Sequence, residues 1–454
     1  MHVTTIDRWS PAPGALVVCE LDPSGAAPVE SAIPPSFNQQ FHLAAASAPG
    51  APHTWLAASF DVTGGVDRKA LEAAYAALVR RHPTLHSSFE PHAGQVARRT
   101  LRDPDQFTYR TVDVDYFHDT DELRDTLWTT LDERCDPFGT PSYVVAAIDR
   151  PERSTIICGF DHIHVDAYSI AIVVADMTAL YAGFRAEPGS YAGADLPPTG
   201  SFLEFCAEQH DETRAADPNC PTLGRWVEFF TERHNIPPTF PLDLGVGPSE
   251  RHPQAVLLDT LVDADALASV ETHCRASGAS VFAGVLSAMA HAVHDQGGPR
   301  RVSMLFPMHT RRSRRHADAL GWFTTNAPMV IDLEPTLVET MHIVGPALRD
   351  AISLGEVNLG RVVEAIGGLN LQRNDIFMVS YVDYRRLPGS DEQAATNATH
   401  VSNVTTADDA QFWVSRTDSG LALRVRYPDN PVASATIAGY VTAVRARLLD
   451  LIGR

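Results

Sequence analysis

Between residues 157 and 170 the chain reads ICGFDHIHVDAYSI. Two aspartates and two histidines, Asp161, His162, His164 and Asp166, fall within six residues, with an apolar run before them and an apolar run after them. Titratable groups wedged between two buried elements need partners or a task, because an unpaired polar group costs free energy when it leaves water. The stretch predicts a strand, a turn that carries chemistry, and a helix. Whatever the fold, it has to supply a sheet and a core around that turn.

Three readings fit the turn. In the first, His162 is a general base. A neutral imidazole with a pKa near about 6.5 takes a proton from a hydroxyl or amine and contributes roughly 10²–10⁴-fold in rate. Asp166 then orients the loop by pairing with an arginine. In the second, His162, His164 and Asp166 are metal ligands, because HxHxD is a ligand spacing and imidazole with carboxylate suits Zn²⁺. No second His/Asp cluster with ligand spacing accompanies it. In the third, the four side chains are structural groups satisfied by hydrogen bonds. Other signatures are missing: no GxSxG surrounds Ser36, Ser88 or Ser169, and no P-loop or GxGxxG precedes a helix. The basic run RRSRRH (311–316) reads as a solvated loop, or as an anchor for Asp166 or a phosphate.

Composition narrows the class. Among 454 residues, 56 acidic and 36 basic side chains leave a net charge of −20. That charge repels phosphate and excludes a nucleic-acid or anionic-membrane surface as the main partner. With 44% apolar and 20% charged residues the chain is globular, not disordered. The six cysteines have no CxxC spacing and read as reduced thiols of a cytoplasmic protein. MHVTTIDRWSPAPG carries no export signal, and runs such as IAIVVA are too short to span a bilayer.

Along the chain, residues 1–35 are Pro-rich and read as irregular. Strands are predicted at 54–62, 142–149 and 154–160, and helices after Asp67 and over 169–184. A Gly/Pro-rich stretch within 186–222 reads as a connecting segment with one short helix, which splits the chain into 1–185 and 223–454. The second part repeats the pattern, with helices near 263–276 and 280–295, strands at RVSMLFPM, DIFMVSYVDY and LALRVRYP, and a closing amphipathic helix. Residues 385–408 are polar and read as a mobile flap or loop. The fold class is α/β, an α+β sandwich.

Several segments resemble one family. HxxxD at His162–Asp166 is similar to the HHxxxDG motif of the condensation-domain acyltransferase superfamily, which includes nonribosomal peptide condensation domains, polyketide-associated acyltransferases and chloramphenicol acetyltransferase. PPSFNQQFHL (34–43), VRRHPTLHSSFE (79–90), CDPFGTPSYVVAAI (135–148), GASVFAGVLSAMAHAV (278–293) and PMHTRRSRRHADALGWFTTNAP (307–328) match further family segments in order. RWVEFF, FPLDLG and GWFTTNAP bring the chain nearest to the free-standing, ester-forming branch.

The resemblance implies two chloramphenicol-acetyltransferase-like lobes in a V, with the active site in a tunnel between them. It implies an acyl or aminoacyl thioester donor, on coenzyme A or on the phosphopantetheine of an acyl or peptidyl carrier protein. A small-molecule hydroxyl acceptor gives an ester in natural-product or complex-lipid biosynthesis. An amine acceptor giving an amide, or a degenerate module that binds a carrier protein or tailoring enzyme, are the alternatives. His162 is then the base, Asp166 a structural residue paired with Arg311, and the Ala167 N–H an oxyanion donor. Asp161, Tyr168, Trp322, Asn326, Ser380 and Trp413 are candidate substrate contacts. No metal, no permanently bound cofactor and no ATP are implied, and the chain is expected to be a monomer. Asp161 and Ala167 replace the first His and the Gly of the family motif. An acidic carrier protein meets a −20 chain only through a local basic patch, Arg311 to Arg315; coenzyme A needs none.

Overall fold

The computed structural model describes every residue except 26–27, 93–94, 190–195, 216, 218–219, 248–249 and 454, with main chain only at His92, Gln95, Arg214, Ala215 and Glu392. The chain divides into two compact units. The first comprises Met1–Arg214, Thr310–Phe323 and Arg386–Val404; the second comprises Ala215–His309, Thr324–Arg385 and Thr405–Arg454. Two late segments are thus built into the first unit. Of the expected connecting segment 186–222, residues 190–195, 216 and 218–219 lie outside the described residues. The helix Phe202–Ala215 stands in the rest of it, and the helix Pro221–Thr231 begins at its end.

The first unit is built on a seven-stranded sheet in the order His2–Thr5, Thr399–Ser402, Trp55–Thr63, Arg153–Asp161, Tyr143–Asp149, Ala15–Asp22, Thr108–Tyr116. Only the first pair runs parallel. Val145 and Ala147 pack with the helices Arg68–Arg81 and Ala167–Ala186. Their neighbours Val144, Ala146 and Ile148 pack with the helix Thr120–Arg134 on the other face. Side chains alternate across a strand, so a sheet covered on both faces needs apolar residues at every position. That is why SYVVAAID and STIICGF read as continuous apolar runs. A small three-stranded sheet, Pro28–Glu30, Gln95–Leu101 and Ser87–His92, completes the unit.

Aspartates punctuate the helix starts. Asp67, Asp119 and Asp166 each accept a main-chain N–H of the first turn that has no acceptor inside the helix. The helix Ala167–Ala186, with 20 residues, is by length and composition alone long and apolar enough to cross a membrane. Its apolar side chains are those of a core helix, packed on the sheet and on Arg68–Arg81.

Two expectations fail. Residues 1–35 are not irregular but hold the strands His2–Thr5, Ala15–Asp22 and Pro28–Glu30. Residues 385–408 are not a flap. Thr399–Ser402 inserts into the sheet between His2–Thr5 and Trp55–Thr63 with Val401 buried. The polar side chains there have partners. Asn403 accepts from Trp128 Nε1 at 2.8 Å and donates to the His53 carbonyl (2.7 Å) and Asp132 (2.8 Å).

The second unit has its own seven-stranded sheet, in the order Thr324–Asp332, Arg301–His309, Met378–Asp383, Gln411–Thr417, Gly420–Pro428, His252–Asp263, Thr406–Ala407. One face carries the helices Ala264–Ala276, Val281–Asp295, Leu337–Leu354 and Pro431–Asp450 over a single large core. Leu305 and Met378 join a smaller cluster with the helices Pro221–Thr231 and Leu359–Ala365 around Trp226.

Candidate active site

The strand Arg153–Asp161 lies in mid-sheet, and the polar turn follows it directly. Several of the family-like segments hold that turn. The Ser142 carbonyl accepts from the Asp161 N–H and the Thr54 carbonyl from the His162 N–H, each at 2.9 Å. Gln39, on the helix Phe37–Ala46, donates to the Ile163 carbonyl at 2.8 Å. Its amide oxygen accepts from the buried Arg98 at 2.7 Å. The turn is over-determined by main-chain contacts before any side chain of the motif is counted.

Asp166 closes the turn. It caps the helix Ala167–Ala186, taking the Ser169 N–H and hydroxyl at 2.8 Å each. Arg311 donates to both carboxylate oxygens, at 2.7 and 3.0 Å, and the Phe323 N–H adds a third side at 3.1 Å. The two side chains are 2% and 6% exposed. Burial pushes the Asp166 carboxyl up, but the Arg311 charge and these donors hold it below the ordinary aspartate value. Arg311 also lies 4.5 Å from the ring centres of Tyr168 and Phe323. Arg311 is therefore interior and no part of a surface patch; Arg312, Arg314 and Arg315 are exposed, and Arg315 pairs with Glu208.

His164 points elsewhere. It is fully buried, 2.7 Å from the Ser142 hydroxyl and 3.4 Å from the Thr84 hydroxyl. Burial, reinforced by Arg98, drops its pKa to about 3. With His164 on two hydroxyls and Asp166 on Arg311, the HxHxD spacing does not bring three ligands to one point. Among the described residues no group of three or more His, Cys, Asp or Glu is arranged to hold a metal ion.

His162 is the member of the turn that remains part-exposed. Burial of the ring, with His42 nearby, lowers its pKa to about 4; its own carbonyl and the carboxylates of Asp161 and Asp166 oppose that shift. The imidazole is therefore neutral at neutral pH. Its face lies on Trp322, with 3.9 Å between ring centres and 29° between planes. Asp161 is fully buried and takes the His42 Nε2–H and the Ile163 N–H at 2.9 Å each. His42 thus sits against the aspartate that replaces the family's first histidine. Ala167 is the first residue of its helix, a position whose N–H has no acceptor within the helix.

Asn326, Ser380 and Trp413 belong to the second unit. Ser380 and Trp413 are register partners across two strands, and the Trp413 ring stacks on Arg424 at 4.3 Å. The Asn326 side-chain oxygen is buried with no hydrogen-bond partner. The sequence reading missed His42, Ser169 and the pair His82–Asp176, whose Nε2–Oδ2 distance is 2.8 Å. His42 and His82 lie inside segments that the family resemblance quotes, but no local spacing says what they meet.

A mixed α/β unit that presents a neutral imidazole at a strand end, next to an aspartate committed to an arginine, defines a class. The Condensation domain family matches residues 29–452, and the chain belongs to that family. Within it, the chain is an acyltransferase. It is 27% identical to acyltransferase PapA3 of Mycobacterium tuberculosis, over 98% of this chain and 96% of the relative. It is 29% identical to 2'-acyl-2-O-sulfo-trehalose (hydroxy)phthioceranyltransferase PapA1 of the same organism, over 98% and 88%. The solved PapA2 acyl transferase structure superposes with a TM-score of 0.89 at 23% identity, covering both chains completely.

Proposed function

We propose that the chain moves an acyl group from a thioester to a hydroxyl of a small acceptor and forms an ester. The donor is coenzyme A or the phosphopantetheine of a carrier protein. The observation that carries this reading is the part-exposed, neutral imidazole of His162 on a turn fixed by its neighbours. The unprotonated ring takes the acceptor's hydroxyl proton as its oxygen attacks the thioester carbonyl. The carbonyl oxygen becomes negative, and the Ala167 N–H at the helix start is its donor. Collapse breaks the carbon–sulfur bond, and the imidazolium returns the proton to the leaving sulfur. The carboxylates of Asp161 and Asp166 favour that transient imidazolium. Asp166 itself stays an ion-pair partner of Arg311 and takes no proton.

The names of PapA1 and PapA2, relatives at 29% and 27% identity, support sugar hydroxyls, trehalose first, as acceptors to offer. An amine would use the same base and give an amide. The test is turnover of acyl-coenzyme A and acyl-carrier-protein donors with trehalose, other polyols and amines, by wild type and His162→Ala. Loss of roughly 10²–10⁴-fold in the folded variant is expected, with no effect of a chelator. A His162→Ala protein as active as wild type sinks the reading.

A further inference from the structure

The base carries an aromatic arrangement that proton transfer alone does not require. A catalytic base is ordinarily oriented by a hydrogen bond to its second nitrogen. Here Nδ1 of His162 is buried with no hydrogen bond to another residue, and only the residue's own main chain acts on the ring. What the ring does have is the Trp322 face at 3.9 Å. His42 meets the same indole edge-on, at 5.8 Å and 72°.

Both partners are anchored, and by different parts of the first unit. Trp322 lies in the segment Thr310–Phe323, whose ends are joined by the Thr310 N–H and the Phe323 carbonyl at 2.8 Å. The main chain is held on either side of the indole. The Leu320 N–H is 3.3 Å from His82 Nδ1, the Gly321 N–H is 3.3 Å from the Ser169 hydroxyl, and the Phe323 N–H is 3.1 Å from Asp166. His82 donates through Nε2 to the buried Asp176, which leaves Nδ1 as an acceptor for Leu320. His42 is held from the other direction by Asp161.

We propose that Trp322 is a positioning residue for His162: its indole face fixes the imidazole plane where no other residue hydrogen-bonds the second nitrogen, and the pairs His82–Asp176 and His42–Asp161 hold the indole. The inference rests on His162 acting as the base. It gives Trp322 a task other than touching substrate, and it gives Asp161 the task of holding His42.

Two readouts test it on the full chain. Turnover of palmitoyl-coenzyme A with trehalose is followed as released thiol for wild type, Trp322→Phe, Trp322→Ala and His162→Ala. Carbethoxylation of His162 by diethyl pyrocarbonate, followed by mass spectrometry, needs no substrate. Trp322→Ala is expected to lose kcat on the order of 10²-fold with KM near wild type, as a misplaced base does. Trp322→Phe is expected to recover most of it, and His162 in Trp322→Ala to be carbethoxylated several-fold faster. A raised KM with unchanged kcat would make Trp322 a substrate contact and overturn the proposal. So would a His162 that reacts at the wild-type rate in Trp322→Ala. If His162→Ala turns over like wild type, the base assignment fails, while the carbethoxylation rates still judge the positioning. If Trp322→Ala does not fold, His42→Ala carries the test, with the same changes expected at a smaller factor and no change counting against it.

Discussion

At the scale of the residue, the turn separates three roles that sequence spacing leaves mixed. Neighbouring side chains of a tight turn diverge, so HxHxD can place its members at one metal or at three different partners. The partners decide, and they lie far along the chain: Arg311 is 145 residues from Asp166, and His42 is 119 from Asp161. Only the cap on Ser169 is local enough to be read from the pattern. Arg311→Ala leaves a buried carboxylate without its cation, and unfolding by urea should show a loss of about 3–5 kcal/mol. A loss below about 1 kcal/mol, the range of exposed pairs, would mean that water reaches Asp166. His162 carries a second prediction. Its folded pKa of about 4 keeps it neutral as pH falls below 6.5. With its substrates, kcat/KM should stay level from neutral pH to about pH 5 and fall only near pH 4. An acid limb at about 6.5 would show a solvated ring.

At the scale of the element, patterns were readable wherever burial is two-sided or a cap is present. The helices after Asp67, Asp166 and Ser280 begin at those residues because side-chain oxygens there take first-turn N–H groups. Strands that borrow their order from a distant partner were not readable. His2–Thr5 and Thr399–Ser402 pair with each other, and neither alternates strongly enough alone. Turns offer a sharper check. Gly420 joins Gln411–Thr417 to Gly420–Pro428 at φ 128°, and a Cβ there would run into the Val262 carbonyl oxygen and lie 2.8 Å from the Asp263 carbonyl carbon. Main chain cannot give way like a side-chain tip, so Gly420→Ala should cost more than about 2 kcal/mol. Gly50, at φ 71° with open space around its Cβ position, should cost only about 1 kcal/mol as Ala. Equal melting shifts for the two variants would contradict the close approach at Gly420.

At the scale of the whole molecule, charge and protonation set the pH range of the fold. Burial leads the lowering of pKa at His82, His86, His162, His164, His291 and His316. Unfolded, each takes a proton near pH 6.5; folded, each resists it, so the unfolded state binds more protons and stability falls as pH drops below 6.5. Asp375 and Asp409 act oppositely. Burial raises both, Asp409 to about 7, so each weakens the fold as pH rises above about 4, Asp409 up to about 7. Six groups against two should leave urea midpoints that climb from pH 4 to 6.5. A flat or falling profile would mean that the histidines charge without unfolding.

The composition of the first unit also carries a clock. Its sheet includes Thr399–Ser402, and its central ion pair needs Arg311. A chain emerging from the ribosome N-terminus first presents Trp55–Thr63 as a bare edge, and Asp166 as an unmatched charge, until most of its length has been made. The first unit is therefore the one begun first and finished late. Through that interval its apolar strands are open to the wrong neighbours. Slower synthesis or added chaperone is therefore expected to raise the yield of active protein.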